Sequence, residues 1–195
     1  MSDHDTKNKI IKTMYELVAE KGYDKASIGQ IAEVIGIKKA SVYYYFRSKE
    51  DIFLNLVKDL YSSNFFDKST IFDKDCTMLN YKQELIKIGE TFISSYFENK
   101  DMRKVYAEVD LQTTRIPALK EFIDTTDKTF NEFLKNCMEQ GVTLGVFRAD
   151  FNVSINAQIL YAVLIGIDQA ILYDLPIDPN AVWNEIIAKL FNENE

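Results

Sequence analysis

The chain is poor in the residues that build reactive centres and tight turns. It holds one histidine, two cysteines, three prolines and seven glycines in 195 residues. The lone histidine, His4, sits in the polar segment MSDHDTKNK, expected to be an unstructured tail, so no Ser–His–Asp or Cys–His set can assemble. Cys76 and Cys137 form no CxxC pair. Neither a disulfide framework nor a zinc site is expected, and a reducing cytosol suits them. No glycine-rich phosphate loop occurs. So few glycines and prolines argue against an all-β chain, which needs many turns. The polar start lacks the apolar core of a signal peptide. The longest apolar run, Ala157 to Ile167, contains Gln158 and stops at Asp168, and reads as too short for a bilayer. The expectation is a cytoplasmic protein that is not an enzyme, with no catalytic or metal-binding residues, no cofactor and no membrane partner.

What is present points to helices. Hydrophobic residues make up 47% of the chain, enough for a sizeable core. The net charge of -7 is unevenly spread. Residues 1–60 hold ten Lys/Arg against nine Asp/Glu, so the acid excess lies beyond them. Residues 36–49 carry Lys38, Lys39, Arg47 and Lys49 with no acid. A local basic stripe on an acidic chain suits specific, salt-sensitive DNA contact better than general coating of nucleic acid.

Apolar residues recur with helical period: Ile10, Ile11, Met14, Leu17 and Val18 form one stripe, ended by Gly22. Ser27 and Gln30 read as a capping box opening a second helix, which Gly36 breaks after two turns. A third helix spans about Lys38 to Tyr45. Ser48 with Asp51 caps a fourth, running toward Phe65. Residues 67–79 read as a loop. Five more helices are expected near 80–98, 101–114, 117–140, 153–173 and 179–192. Pro117 and Pro179 stand at helix starts, with Asp178 as a cap. The fold class is all-α with about nine helices: a helix-turn-helix domain over residues 1–50 and a helical body over 51–195.

Residues 27–46 carry the chemistry. Two short helices meet at Gly36, with the small Ala32 at their crossing and Ile37, Val42 and Phe46 filling the angle. This is a helix-turn-helix, whose second helix can enter the major groove. Steps of 100° put Val42 and Phe46 inside and Ala40, Tyr43 and Tyr44 outside, with Ser41 at the margin. Small side chains allow close approach to base edges, and a phenol at the rim can donate to a phosphate. Lys49, in the first turn of the fourth helix, is placed to hold a phosphate together with that helix's N-terminal N–H groups.

The same segment resembles the TetR family closely. The residues that carry the likeness are L17-V18-A19-E20-K21-G22-Y23, S27-I28, I31-A32, G36-I37, V42-Y43-Y44-Y45-F46 and S48-K49-E50-D51-I52. The resemblance implies that Lys39, Ala40, Ser41 and Tyr43 face bases or the groove, while Ser27, Tyr43, Tyr44 and Lys49 touch the backbone. Lys38 replaces the family's usual Ser or Thr cap and adds a charge for phosphate. Tyr45 replaces a frequent His, and Ala40 a frequent Gly. The implied function is a ligand-responsive regulator, most simply a repressor, that binds an inverted-repeat operator in double-stranded DNA as a homodimer. A helical interaction protein that keeps the fold without specific DNA binding is the alternative, and retention on a DNA column separates the two.

Helix 153–173 is apolar nearly all round and 179–192 is amphipathic. A two-fold dimer would cover both, through Ile159, Val163, Gly166, Ile167, Trp183, Ile186, Ile187 and Leu190. Eleven of the 13 phenylalanines lie after residue 60. Most suit ordinary core, and a ligand pocket would be lined the same way. The candidate lining is Phe65, Phe66, Phe92, Tyr96, Tyr106, Phe130 and Tyr161. Glu108 would fix a hydroxyl or positive charge on a mainly apolar effector. Asp110 is the other acid in that stretch, and for each of the two a solvated face is the plainer alternative.

Overall fold

The computed structural model describes residues 3–62, 72, 76–97 and 100–192. The described residues form helices α1 (Asp3–Lys21), α2 (Ile28–Ile35), α3 (Lys39–Tyr45), α4 (Lys49–Ser62), α5 (Met78–Phe97), α6 (Lys100–Thr113), α7 (Pro117–Thr143), α8 (Val153–Leu172) and α9 (Pro179–Asn192), with no strand among them. They divide into two compact units. One holds the described residues to 62 together with 100–123; the other holds 72, 76–97 and 124–192. The first unit is therefore larger than the 1–50 segment expected from sequence.

In the first unit α1 packs against α2, α4 and α6. Ile10, Met14, Ile31, Val42, Ile52, Phe53 and Val57 form its centre, joined from α6 and the start of α7 by Val105, Val109, Ile116 and Leu119. Each such side chain adds roughly 1.5–3 kcal/mol by leaving water. α1 starts at Asp3 and takes in His4, which the sequence reading left in a tail. Asp3 and Asp5 in its first turn favour that start by facing the positive end of the helix dipole. Ser27 Oγ accepts from Gln30 N–H and donates to the Gln30 amide oxygen, so the α2 box closes side chain to side chain. At α4, Ser48 Oγ accepts from Asp51 N–H, and the Asp51 carboxylate accepts from Arg47 N–H. Gly36 ends α2 with φ +73°; its own N–H and that of Ile37 donate back to carbonyls of the last turn. A side chain there would pay the left-handed steric penalty.

In the second unit α5, α8 and α9 pack on one another. By length and composition alone α8 would pass as a membrane-crossing helix, a test that the core helix of a soluble protein passes too. Its Ala157, Leu160, Leu164, Ile167 and Ile171 are buried in this unit. Asn152 caps α8 by accepting from Ile155 N–H, and Asp178 caps α9 by accepting from Ala181 N–H. Trp183 lies against α5, where its Nε1–H donates to the carbonyls of Leu85 and Ile86.

Candidate DNA interface and effector core

The third helix presents the face that the period dictates. Val42 and Phe46 are buried, whereas Lys38, Lys39, Ala40 and Ser41 are exposed. Tyr43 is 48% and Tyr44 76% exposed, high values for aromatic rings in a domain with a full core. Ser27 is also exposed, its hydroxyl engaged in capping α2. Tyr45 has a different task. Its O–H donates to Asp3 at 3.0 Å, and its ring takes Tyr44 edge-on at 5.0 Å between centroids. The start of α1 is thereby tied to the end of α3. Lys7 adds to that tie by lying 5.5 Å from the Phe46 ring centre.

Lys49 is not turned outward. Its ammonium donates to the carbonyls of Tyr23 at 3.0 Å and Ala26 at 3.2 Å, and sits 4.1 Å from the Tyr23 ring centre. Glu50 and Asp51 follow it in the first turn of α4. Two carboxylates thus stand beside the helix start at which Lys49 is expected to hold a phosphate. Arg47 is exposed beside α3 and was passed over as a site residue although the basic stripe contains it.

The expected effector residues fall into separate places. Phe92, Phe130 and Tyr161 do come together in the second unit. Phe92 stacks on Phe130 at 5.8 Å, and Tyr161 meets Phe130 edge-on at 5.9 Å. Phe133 extends the stack at 6.4 Å from Phe130. The Tyr161 hydroxyl is hydrogen-bonded to Asp127; burial first, then the charge and hydrogen bond of Asp127, push its pKa up to about 12. Spacing could not reveal this pair, because the two residues sit on different helices 34 positions apart. Tyr106 belongs instead to the first unit, edge-on to Tyr61 at 5.7 Å. Glu108 lies there too, its Oε1 only 2.6 Å from where a Cβ on Gly22 would stand. Its carboxylate abuts the turn after α1 rather than a place among the Phe92 group, and Asp110 is exposed. Phe65 and Phe66 lie outside the described residues, as does the side chain of Tyr96. A cavity of about 670 Å³ opens along α7, lined by groups such as Thr129, Glu132 and Asn136; Phe133 reaches it, but among the described residues none of the expected lining does.

The expected dimer face also divides. Ile167, Trp183 and Ile187 are wholly buried within the second unit and have no side-chain surface to offer a partner, while Leu190 is nearly buried at the edge of a groove shared with Ile159 and Ile186. Trp183 fills the space beside Gly89 of α5. Ile159 is 42% exposed, and Gly166 opens on free space. Val163 and Ile186 are half-buried beside them. Ile155 and Val182, not singled out from sequence, extend the exposed apolar strip.

Comparison with known proteins agrees with this geometry. Residues 10–56 match bacterial regulatory proteins of the tetR family. The fatty acid metabolism regulator protein of Bacillus subtilis is 22% identical over 95% of both chains. The IcaR negative transcriptional regulator of the icaADBC biofilm operon in Staphylococcus aureus is 48% identical over 52 residues, 27% of this chain and 28% of its own. Among solved structures, a transcriptional regulator from Saccharomonospora viridis in complex with choline superposes with a TM-score of 0.76 at 21% identity, covering 98% of each chain. All three are regulators by name. Residues 10–56 thus match the tetR-family regulatory proteins, and the chain as a whole has the fold of solved transcriptional regulators.

Proposed function

We propose that this regulator is a cytoplasmic repressor that binds inverted-repeat operator DNA as a homodimer and is released by a mainly apolar small molecule. The observation that carries the reading is the exposed α3 surface. Lys38, Lys39, Ala40 and Ser41 stand clear at its start, and Tyr43 and Tyr44 stand clear at its end. Short side chains fit against base edges, the cations meet phosphates, and the phenols donate to backbone oxygens. In this reading Ser27 lies at the backbone while its hydroxyl keeps the start of α2.

A dimer would use the strip of Ile155, Ile159, Val163, Gly166, Val182 and Ile186, because burying it removes the largest run of exposed apolar side chains on α8 and α9. Two reading helices would then stand roughly 34–36 Å apart or somewhat more, which calls for a repeated half-site. The effector would enter the second unit at Phe92, Phe130 and Tyr161, with Asp127 taking the part given to Glu108 from sequence. The relatives fit a ligand with a long apolar portion or a cationic head, one being a fatty acid metabolism regulator and another bound to choline.

Selection of duplexes from a randomised pool by the purified protein tests the reading. An inverted repeat is expected, retained by wild type and lost on Tyr43→Ala with Tyr44→Ala. Failure to enrich any sequence would favour the interaction-protein alternative. Titration of the selected complex with palmitate, choline and decyltrimethylammonium tests the effector. A 100-fold loss of DNA affinity corresponds to about 2.7 kcal/mol of coupling. Tyr161→Ala should abolish that loss without touching DNA binding in the absence of ligand.

A further inference from the structure

We propose that the effector of the second unit is a protonated primary amine on an apolar body, its nitrogen held between the Asp127 carboxylate and the side-chain oxygen of Asn131. This rests on the reading of Phe92, Phe130 and Tyr161 as the effector site and narrows that reading to one ligand class. Its starting point is an orphan. The Asn131 side-chain oxygen is buried and, among the described residues, has no hydrogen-bond partner. A buried acceptor left without a donor costs free energy, and native cores rarely keep one without a reason. Lys135, one turn further along α7, does not supply the donor; its ammonium lies 3.9 Å from Glu139.

Asn131 stands one helical turn from Asp127 on the same face of α7, about 5–6 Å away between Cβ atoms. A nitrogen about 2.9 Å from each of two oxygens bridges roughly 5.8 Å, so one ammonium can meet both side chains. The Tyr161 hydroxyl donates to Asp127. With its pKa pushed up to about 12, by burial first and then by Asp127, it keeps its proton, and its oxygen can still accept. Three kinds of acceptor therefore gather here, and a primary ammonium carries three N–H donors. A carboxylate ligand would set like charge against Asp127 and acceptor against acceptor at Asn131. A quaternary ammonium keeps the attraction to Asp127 and to the ring faces but has no N–H for Asn131. The apolar body has its own surface in Phe92, Phe130 and Phe133, stacked at 5.8 and 6.4 Å between centroids. Phe133 also lines the cavity along α7, so the stack leads from the polar pair toward an opening.

Calorimetric titration of the full-length protein at neutral pH with decylamine, decyltrimethylammonium and decanoate, each below its micellar concentration, tests the assignment without any DNA. Decylamine should bind about tenfold more tightly than decyltrimethylammonium, the factor expected for one charge-assisted hydrogen bond. Decanoate should bind more weakly than either. Asn131→Leu should bring decylamine down to the affinity of the quaternary ammonium and leave the latter unchanged. The thermal midpoint of that variant should equal or exceed the wild type's, because leucine removes an unsatisfied acceptor. A lower midpoint would give Asn131 a structural partner and overturn the proposal, as would a variant that binds decylamine like wild type. The wild-type ranking decides the matter even if the variant does not fold. Equal binding of decylamine and decyltrimethylammonium would leave an effector site in place but sink the amine. A preference for decanoate would mean that the Asn131 amide N–H groups face the ligand, and would sink it too. Binding of none of the three would remove the effector reading itself, and the amine with it.

Discussion

Two glycines separate two physical reasons for having no side chain. Gly36 has open space where a Cβ would stand, yet its φ is +73°. Gly36→Ala should cost about 1–2 kcal/mol through backbone strain alone. Gly89 lies inside α5 with ordinary helical geometry, where alanine would normally gain roughly 0.5–1 kcal/mol. Its Cβ, however, would stand 2.1 Å from the Trp183 ring. Gly89→Ala should therefore destabilise by about 1–3 kcal/mol as the ring is forced off α5, and urea unfolding would show the opposite sign if the indole could move freely. Titration at this scale gives a further expectation. Burial, with Asp127, pushes Tyr161 up from 10.0 to about 12, and burial pushes the Cys137 thiol up from 9.0 to about 12. Each raised value favours the protonated form in the folded state. The stability they contribute is whole below the unfolded values and is lost as pH rises through the folded ones. Thermal midpoints should stay flat up to about pH 9 and fall between 9 and 12. Tyr161→Phe should flatten the part above 10.

At the scale of helices, much was legible and the failures have a common cause. Repeats such as Ile10, Met14, Leu17 fixed α1, and Gly36 with Val42 and Phe46 fixed the corner of the helix-turn-helix, because each has one apolar stripe and one environment. α8 has apolar residues nearly all round, so periodicity could not say which stripe faces its own unit. Ile167 was placed outward and is 1% exposed, whereas Ile155 was passed over and is 49% exposed. The distinction gives a paired prediction. Ile159→Asp should leave a folded protein whose light-scattering mass drops to that of one 22.6 kDa chain at micromolar concentration. Ile167→Asp should lose the cooperative unfolding transition instead, since it buries a charge with no partner. A dimer that survives Ile159→Asp would show that the α8–α9 strip is not where the copies meet. The effector residues were harder to read for a related reason. Phenylalanine and tyrosine look alike in core and pocket, and assigning Tyr106 to the same place as Phe130 needed a knowledge of packing that spacing does not hold.

At the scale of the molecule, charge is what sequence conveyed best. The acid excess lies beyond residue 60 and the basic stripe within α3 and its flanks, so affinity for the selected duplex should fall steeply between 50 and 200 mM salt. The grouping of helices was not conveyed. The reading unit takes α1 to α4 from one stretch and α6 with the start of α7 from another, and between them the chain departs to contribute α5 elsewhere. Val105, Val109, Ile116 and Leu119 are needed to complete its core. A gene fragment stopping after α4 would encode the whole recognition surface but not a foldable object. It should be recovered as an unfolded or aggregated polypeptide, where a contiguous cassette would be soluble and bind DNA. Shuffling of such regulators, in the laboratory or over evolutionary time, would then have to exchange two separated stretches of sequence at once or cut within the helices themselves.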